Sequence, residues 1–269
     1  MKNKVHLPRL AVVITTRCNL NCKLCSVGIP AQKEAYHIDL EDLKKQLDFL
    51  FSIADKVDSL ELTGGEPFLH ADLPLMIEAY MQYKDRFKQW LIVTNGTIPP
   101  SGRLIETMKK HKDNGIVHIS DYNIYPEKVR HFIQKLNETG IRYRVDKYYG
   151  NNQYQGGWVD PGEMAPRGRS KEALSDVFSN CGLVKNGGCW RIYKGKLHLC
   201  TRSCRCADEG FDFPQDYVDL LDTTAAAQSK VEKLHSILSG SYIMACDYCN
   251  GDLGTKDKSR RFPAGEQAV

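Results

Sequence analysis

Two hydrophobic patterns alternate along the first half of the chain. Short apolar runs, LAVVI (10–14), SLELT (59–63), WLIVT (90–94), IVHIS (116–120) and IRYRV (141–145), have the length and β-branched content of buried strands. Between them lie segments of helical period. DLEDLKKQLDFLFSI (39–53) opens on Asp39, a residue suited to an N-cap, and repeats leucine at Leu40, Leu43, Leu47 and Leu50. DLPLMIEAYMQY (72–83), SGRLIETMKKHK (101–112) and PEKVRHFIQKLNETG (126–140) fill the remaining gaps. Buried strands alternating with amphipathic helices predict βα units on a parallel sheet. Five strands fall short of a closed eight-fold barrel, so the expected fold is α/β, a partial (β/α) TIM-like barrel. In such folds chemistry gathers at the C-terminal ends of the strands. Four unusual stretches fall there: ITTRCNLNCKLCSVG (14–28), TGGEP (63–67), TNG (94–96) and Ser120-Asp121-Tyr122.

The alternation stops near residue 148. The stretch YYGNNQYQGGWVDPGEMAPRGRS (148–170) reads as loop, WRIYKGKLHLC (190–200) as a hairpin and KVEKLHSILSG (230–240) as a late helix. The tail from Gly251 is polar and expected to be mobile. The expected division is 1–150 for the barrel and 151–269 for a small C-terminal domain.

Composition adds little until the cysteines are counted. With 42% hydrophobic and 26% charged residues the chain is ordinary for a globular enzyme. A net charge of +4 suits an anionic substrate and is too small to argue for nucleic acid or membrane binding. The opening residues lack the apolar core of a signal peptide, and no run approaches the roughly 20 apolar residues of a membrane span. A cytoplasmic location is therefore expected, where clustered cysteines bind metal more often than they form disulfides. There are 10 cysteines.

Three of them, Cys18, Cys22 and Cys25, form CxxxCxxC directly after the first strand. Cysteine thiolates are the usual ligands of iron–sulfur clusters, and three of them leave one iron of a [4Fe–4S] cube open. A zinc site completed by a distant ligand is the alternative for these three cysteines alone. The motif resembles the signature of the radical S-adenosylmethionine (SAM) superfamily, and Gly64-Gly65-Glu66-Pro67 matches the family's GGEP motif. The resemblance implies that the open iron chelates SAM and that a 5′-deoxyadenosyl radical abstracts hydrogen from substrate. It implies that the glycines let backbone approach the ligand, and that Glu66 accepts hydrogen bonds from the SAM ammonium. Asn95, Ser120 and Arg144 take strand-end positions where family members contact the SAM carboxylate or ribose. Leu24 departs from the aromatic residue usual before the third cysteine.

The C-terminal cysteines carry a second resemblance. Cys181, Gly195 and Cys200 fit C-x13-G-x4-C, and Cys246-Asp-Tyr-Cys249 is a CxxC clip. This resembles the Twitch domain, the shortened relative of SPASM, and implies that Cys181, Cys200, Cys246 and Cys249 hold an auxiliary [4Fe–4S] cluster. Cys189 competes with Cys181 as first ligand, tetrahedral zinc is the alternative for the whole set, and Cys204 and Cys206 read as isolated buried thiols.

Two clusters, SAM and a flavodoxin- or ferredoxin-type reductant are thus implied, with a sugar, cyclitol or nucleotide-sugar as substrate. The cysteine spacing is similar to that of the superfamily's aminoglycoside dehydrogenases, which oxidise a secondary alcohol to a ketone with the auxiliary cluster taking the second electron. An epimerase, with Cys189 returning a hydrogen atom, is the alternative; a peptide-modifying enzyme and a non-catalytic iron–sulfur or zinc scaffold also remain. Arg142, Arg144, Lys147, Arg167 and Arg169 are the cations expected near the rim, to grip phosphate or accept a proton.

Overall fold

The computed structural model describes residues 4–32, 34–154, 158–185, 188, 190–251 and 260–268. The first half runs β1 (Val5–Thr15), α1 (Leu40–Ile53), β2 (Ala54–Gly64), α2 (Leu73–Met81), β3 (Phe87–Thr94), α3 (Gly102–Lys110), β4 (Gly115–Asp121), α4 (Pro126–Thr139) and β5 (Tyr143–Lys147). Each helix forms where the period predicts it. Asp39 caps α1, its side chain accepting from the Asp42 N–H at 2.7 Å, and Leu43, Leu47 and Leu50 are fully buried on one face. Each such leucine contributes about 1.5–3 kcal/mol by leaving water.

The second half adds α5 (Lys171–Ser179), α6 (Gly182–Lys185), β6 (Trp190–Tyr193), β7 (Lys196–His198), α7 (Thr201–Asp208), β8 (Tyr217–Asp219) and α8 (Ala227–Ser239). The hairpin of β6 and β7 turns at Lys194 and Gly195, both at positive φ. The small helices α5 to α7 lie where the sequence showed only loop and cysteines. The four residues of α6 are too few for a period to register.

One sheet of eight strands runs through both halves, in the order β5-β4-β3-β2-β1-β6-β7-β8. From β5 to β6 all neighbours are parallel, and β7 and β8 complete the sheet antiparallel. The fold is thus α/β, a partial barrel with a small antiparallel C-terminal region. Because the barrel does not close, β1 keeps an edge, and β6 pairs with it through Leu10↔Trp190 and Val12↔Ile192. All four of these side chains are buried.

The pleat sorts the two faces of this sheet. Leu10, Val12, Ile14, Val117 and Ile119 join the main core with the helices. Their alternates Arg9, His118, Ser120, Arg144, Asp146 and Arg191 line a cavity on the opposite face. Cross-strand register places His118 beside Arg144 and Ser120 beside Asp146.

Candidate active site

The cysteine loop after β1 is held from behind by the loops after β2 and β3. The Gly65 N–H donates to the Thr15 carbonyl at 2.8 Å and the Glu66 N–H to the Arg17 carbonyl at 2.7 Å. This close approach is what demands glycine. A Cβ on Gly64 would lie 2.0 Å from the Thr15 oxygen, and one on Gly65 would lie 2.1 Å from the Arg17 oxygen. The backbone that the glycines bring close is thus the chain's own cysteine loop. Pro67 follows, buried in a 3-10 turn.

Glu66 is 0% exposed. Its carboxylate accepts from the Phe68 N–H at 3.0 Å, the Thr94 hydroxyl at 2.8 Å and the Asn95 N–H at 2.8 Å. Burial pushes its carboxyl up to about 7 against the pull of these donors. Asn95 in turn donates to the Asn19 side-chain oxygen at 2.9 Å, inside the cysteine loop. In this arrangement Glu66 and Asn95 buttress the loop.

Cys18 and Cys22 are pushed up to about 12 and about 11, by burial first and with neighbouring cysteines adding to it. As bare thiols they are neutral. N–H groups nevertheless point at their sulfurs: Leu20 N to Cys18 Sγ at 3.4 Å and Gln267 Nε2 to Cys22 Sγ at 3.3 Å. Donors aimed at sulfur suit thiolates, and thiolates in so buried a place need a cationic centre to ligate. This donor set fits an iron–sulfur cluster.

The cavity has a volume of about 480 Å³. Leu24, Cys25 and Ser26 form one side, and Cys181, Cys200, Cys246 and Cys249 open onto it as well. Tyr122 stacks on Tyr148 at 5.4 Å and meets Trp158 edge-on at 5.5 Å, giving an aromatic wall. Ser120 and Arg144 reach this cavity; Gly64, Gly65, Glu66, Pro67 and Asn95 stand behind the cysteine loop.

The four C-terminal thiols feel one another. Burial raises Cys200 far above its usual value, with the other three adding, while the Ser203 N–H at the start of α7 opposes this. Cys246 is pushed up to about 12 by burial, with Cys249 and Cys181 contributing. The CxxC turn is fixed by buried acids: Asp216 accepts from the N–H groups of Met244 and Ala245, both at 2.8 Å. Asp247 accepts from the N–H groups of Arg167, Gly168 and Arg169. Among the described residues, no three His, Cys, Asp or Glu side chains converge tightly enough to share one ion. Cys204 and Cys206 are buried on α7, and Cys189 lies outside the described residues.

The rim cations differ from those the sequence singled out. Of Arg142, Arg144, Lys147, Arg167 and Arg169, only Arg144 lines the cavity. Arg142 donates to the Asp113 carbonyl. Arg169 donates to the carbonyls of Cys246 and Cys249, both at 2.9 Å, and Arg167 donates to Asn250 at 2.9 Å. Arg167 and Arg169 thus hold the CxxC turn, their guanidinium groups donating to carbonyls that the short 3-10 turn leaves with spare capacity. The cavity instead draws on Arg9, Lys23, Arg191, Arg202 and Arg205. Arg9 forks onto Glu61 at 2.7 and 2.8 Å, and Arg202 is taken up by the carbonyls of Gly162, Glu163 and Tyr248. Arg191 presents a buried Nε with no hydrogen-bond partner among the described residues.

Arg144 donates to Nδ1 of His118 at 2.9 Å, and His118 Nε2 meets Asp146 Oδ2 at 2.7 Å. An always-charged donor on Nδ1 leaves the proton of the neutral ring on Nε2, facing Asp146. Burial, and next the Arg144 charge, hold His118 below its ordinary pKa. The alternation within IVHIS was the signal for His118 as a cavity residue.

Comparison with known proteins agrees with this geometry. The sequence profile of the Radical SAM superfamily matches residues 12–149. The chain is 30% identical over 129 residues to a GTP 3′,8-cyclase of Nautilia profundicola, covering 47% of this chain and 38% of that protein. It is 29% identical over 155 residues to a probable GTP 3′,8-cyclase of Methanococcus aeolicus, covering 51% and 48%. The chain thus spans less than half the length of these curated relatives. Among solved structures, anSMEcpe with bound AdoMet and Kp18Cys peptide superposes at a TM-score of 0.58 and 15% identity, covering 96% of this chain and 93% of that one. BtrN in complex with AdoMet and 2-DOIA superposes at 0.56 and 14%, covering 94% of each. At such identities the likeness is one of fold. No helix among the described residues is long and apolar enough to cross a membrane.

Proposed function

The chain belongs to the radical SAM superfamily, and on that premise we propose that it oxidises a secondary alcohol of a small anionic sugar, cyclitol or nucleotide-sugar to a ketone. One observation carries this reading: a single cavity is bordered by Cys25 of the first cysteine set and by Cys181, Cys200, Cys246 and Cys249 of the second. Cys18, Cys22 and Cys25 would hold the SAM-binding [4Fe–4S] cluster, and the other four an auxiliary one. Bound there, these groups and SAM supply hydrogen-atom abstraction and uptake of the second electron, so that loss of a hydrogen atom, a proton and an electron converts the alcohol to the ketone.

The chain's own residues do the rest. Arg191, whose buried Nε has no hydrogen-bond partner among the described residues, binds the anionic group of the substrate; a guanidinium fork suits phosphate or carboxylate. Arg144 orients the substrate oxygen. It cannot serve as the proton acceptor, because a guanidinium stays charged. Asp146, on the same cavity face and backed by His118, takes the hydroxyl proton. Tyr122, Tyr148 and Trp158 exclude water from the apolar side of the ring. BtrN, whose structure holds AdoMet and 2-DOIA, shares this fold over 94% of each chain. Incubating the anaerobically reconstituted protein with SAM and a panel of phosphorylated and nucleotide-linked sugars tests the proposal. The expected product is lighter than substrate by two hydrogens, with one SAM consumed per turnover. A product of substrate mass in ordinary water, and one mass unit heavier in deuterated water through a single solvent-derived deuterium, would establish epimerisation and overturn the dehydrogenase reading.

A further inference from the structure

Residues 260–268 form a strap, turned at Ala264 and Gly265, that crosses from the cavity wall to the cysteine loop. At its start, Asp160 N–H donates to the Arg260 carbonyl at 2.9 Å and Phe262 N–H to the Trp158 carbonyl at 2.9 Å. At its far end it pairs antiparallel with the cysteine loop, Cys22 opposite Gln267. Lys23 N–H donates to the Glu266 carbonyl at 2.8 Å and Ala268 N–H to the Asn21 carbonyl at 2.6 Å. Lys23 and Glu266 add an ion pair.

The orientation of the Gln267 amide follows from its neighbours. One end meets the Asn21 N–H at 2.7 Å, which requires an acceptor there. The other meets the Gly265 carbonyl at 2.6 Å, which requires a donor. The amide nitrogen therefore lies on the side of Cys22, 3.3 Å from its sulfur, and a flipped amide would set donor against donor and acceptor against acceptor. Cys22 is 6% exposed, so this bond acts where water screens little.

We propose that Gln267 is a positioning residue that donates an N–H···S hydrogen bond to the Cys22 thiolate and thereby raises the reduction potential of the cluster held by Cys18, Cys22 and Cys25. Hydrogen bonds to ligand sulfurs set cluster potentials. A donor stabilises negative charge on sulfur, and the reduced cluster carries one electron more than the oxidised one. The donor therefore favours reduction, the condition for cleaving SAM. The inference rests on the cluster assignment above. It extends that assignment to a contact some 245 residues away in the chain.

An EPR-monitored redox titration of the reconstituted protein tests it, following the reduced-cluster signal that changes on adding SAM. Pulsed ENDOR in deuterated buffer accompanies it, to find exchangeable protons coupled to that signal. Gln267→Leu and Gln267→Glu should both shift the midpoint to more negative potential and lose one exchangeable proton coupling. Glu266→Ala, which removes the ion pair and leaves the amide, should keep both. Should Gln267→Leu release the strap, seen as new protease cleavage within 260–268, Gln267→Glu keeps the acceptor for Asn21 and decides the matter. Unmoved midpoints in both Gln267 variants, or no exchangeable proton coupled in the wild type, would overturn the proposal. A wild-type protein without any SAM-responsive signal would overturn the cluster assignment beneath it.

Discussion

Glu66 is a carboxylate ringed by donors and shut away from water, and that combination has a consequence for stability. Its carboxyl is pushed up to about 7 by burial, while in the unfolded chain it titrates at the ordinary, lower glutamate value. Between those two values the folded protein holds a proton that the unfolded chain has lost. Stability from this group is therefore fully present below the ordinary value and is lost as pH rises toward 7. Chemical denaturation of the cluster-free protein from pH 5 to 7 should show the wild type losing stability more steeply than Glu66→Gln, by about 1.4 kcal/mol per pH unit. Parallel curves would mean that the carboxylate is already ionised at pH 5. Sequence named Glu66 but could not show this, because the donors from Thr94 and Asn95 come from another strand end.

The loop after β2 shows how a glycine requirement can arise from the chain's own backbone. TGGEP was legible as a tight turn beside the cysteine loop. That its glycines admit the carbonyls of Thr15 and Arg17 depends on the parallel pairing of β1 with β2, which brings Thr15 opposite Gly64. Gly65→Ala should therefore cost about 2 kcal/mol in unfolding free energy by chemical denaturation, the scale of a forced overpacking. It should also lower iron retention after reconstitution by shifting the cysteine loop. Gly102→Ala is the comparison. Its Cβ meets nothing within 4 Å, so by restricting the unfolded chain it should add about 0.4–1 kcal/mol and leave iron unchanged. Equal behaviour of the two variants would contradict the close-approach account. The tail teaches a similar lesson at the level of elements. It reads as a polar end, yet residues 260–268 are hydrogen-bonded into the cysteine loop and the cavity wall.

For the molecule as a whole, the two cysteine sets sit on separate elements but share one cavity, so their metal contents should be separable. Reconstituted wild type should hold about eight irons and eight sulfides per chain. Cys18→Ala/Cys22→Ala/Cys25→Ala should retain about four and lose SAM cleavage, whereas Cys246→Ala/Cys249→Ala should retain about four and still cleave SAM. Zinc at the C-terminal set, with four irons in the intact protein, would remove the auxiliary cluster. The fold makes this separation possible: the first set hangs on the loop after β1, while the second is gathered from the junction of α5 and α6, the residue that precedes α7, and the CxxC turn.

The sequence by itself determined the βα alternation, the cap of α1 at Asp39, the parallel sheet, and the spacing of the CxxxCxxC stretch and the CxxC clip. Each of these is written in near neighbours: a period of two or of three to four residues, a cap, or thiols a few positions apart. Tertiary structure alone decided that β6 extends the barrel sheet from β1, that Arg191 rather than Arg167 or Arg169 faces the cavity, and that Gln267 reaches Cys22. These depend on which strand edge is left open, on which face of the pleat a charged residue falls, and on contacts between residues far apart in the chain. Local pattern fixes an element's face and length. Only the packing of all the elements fixes what that face meets.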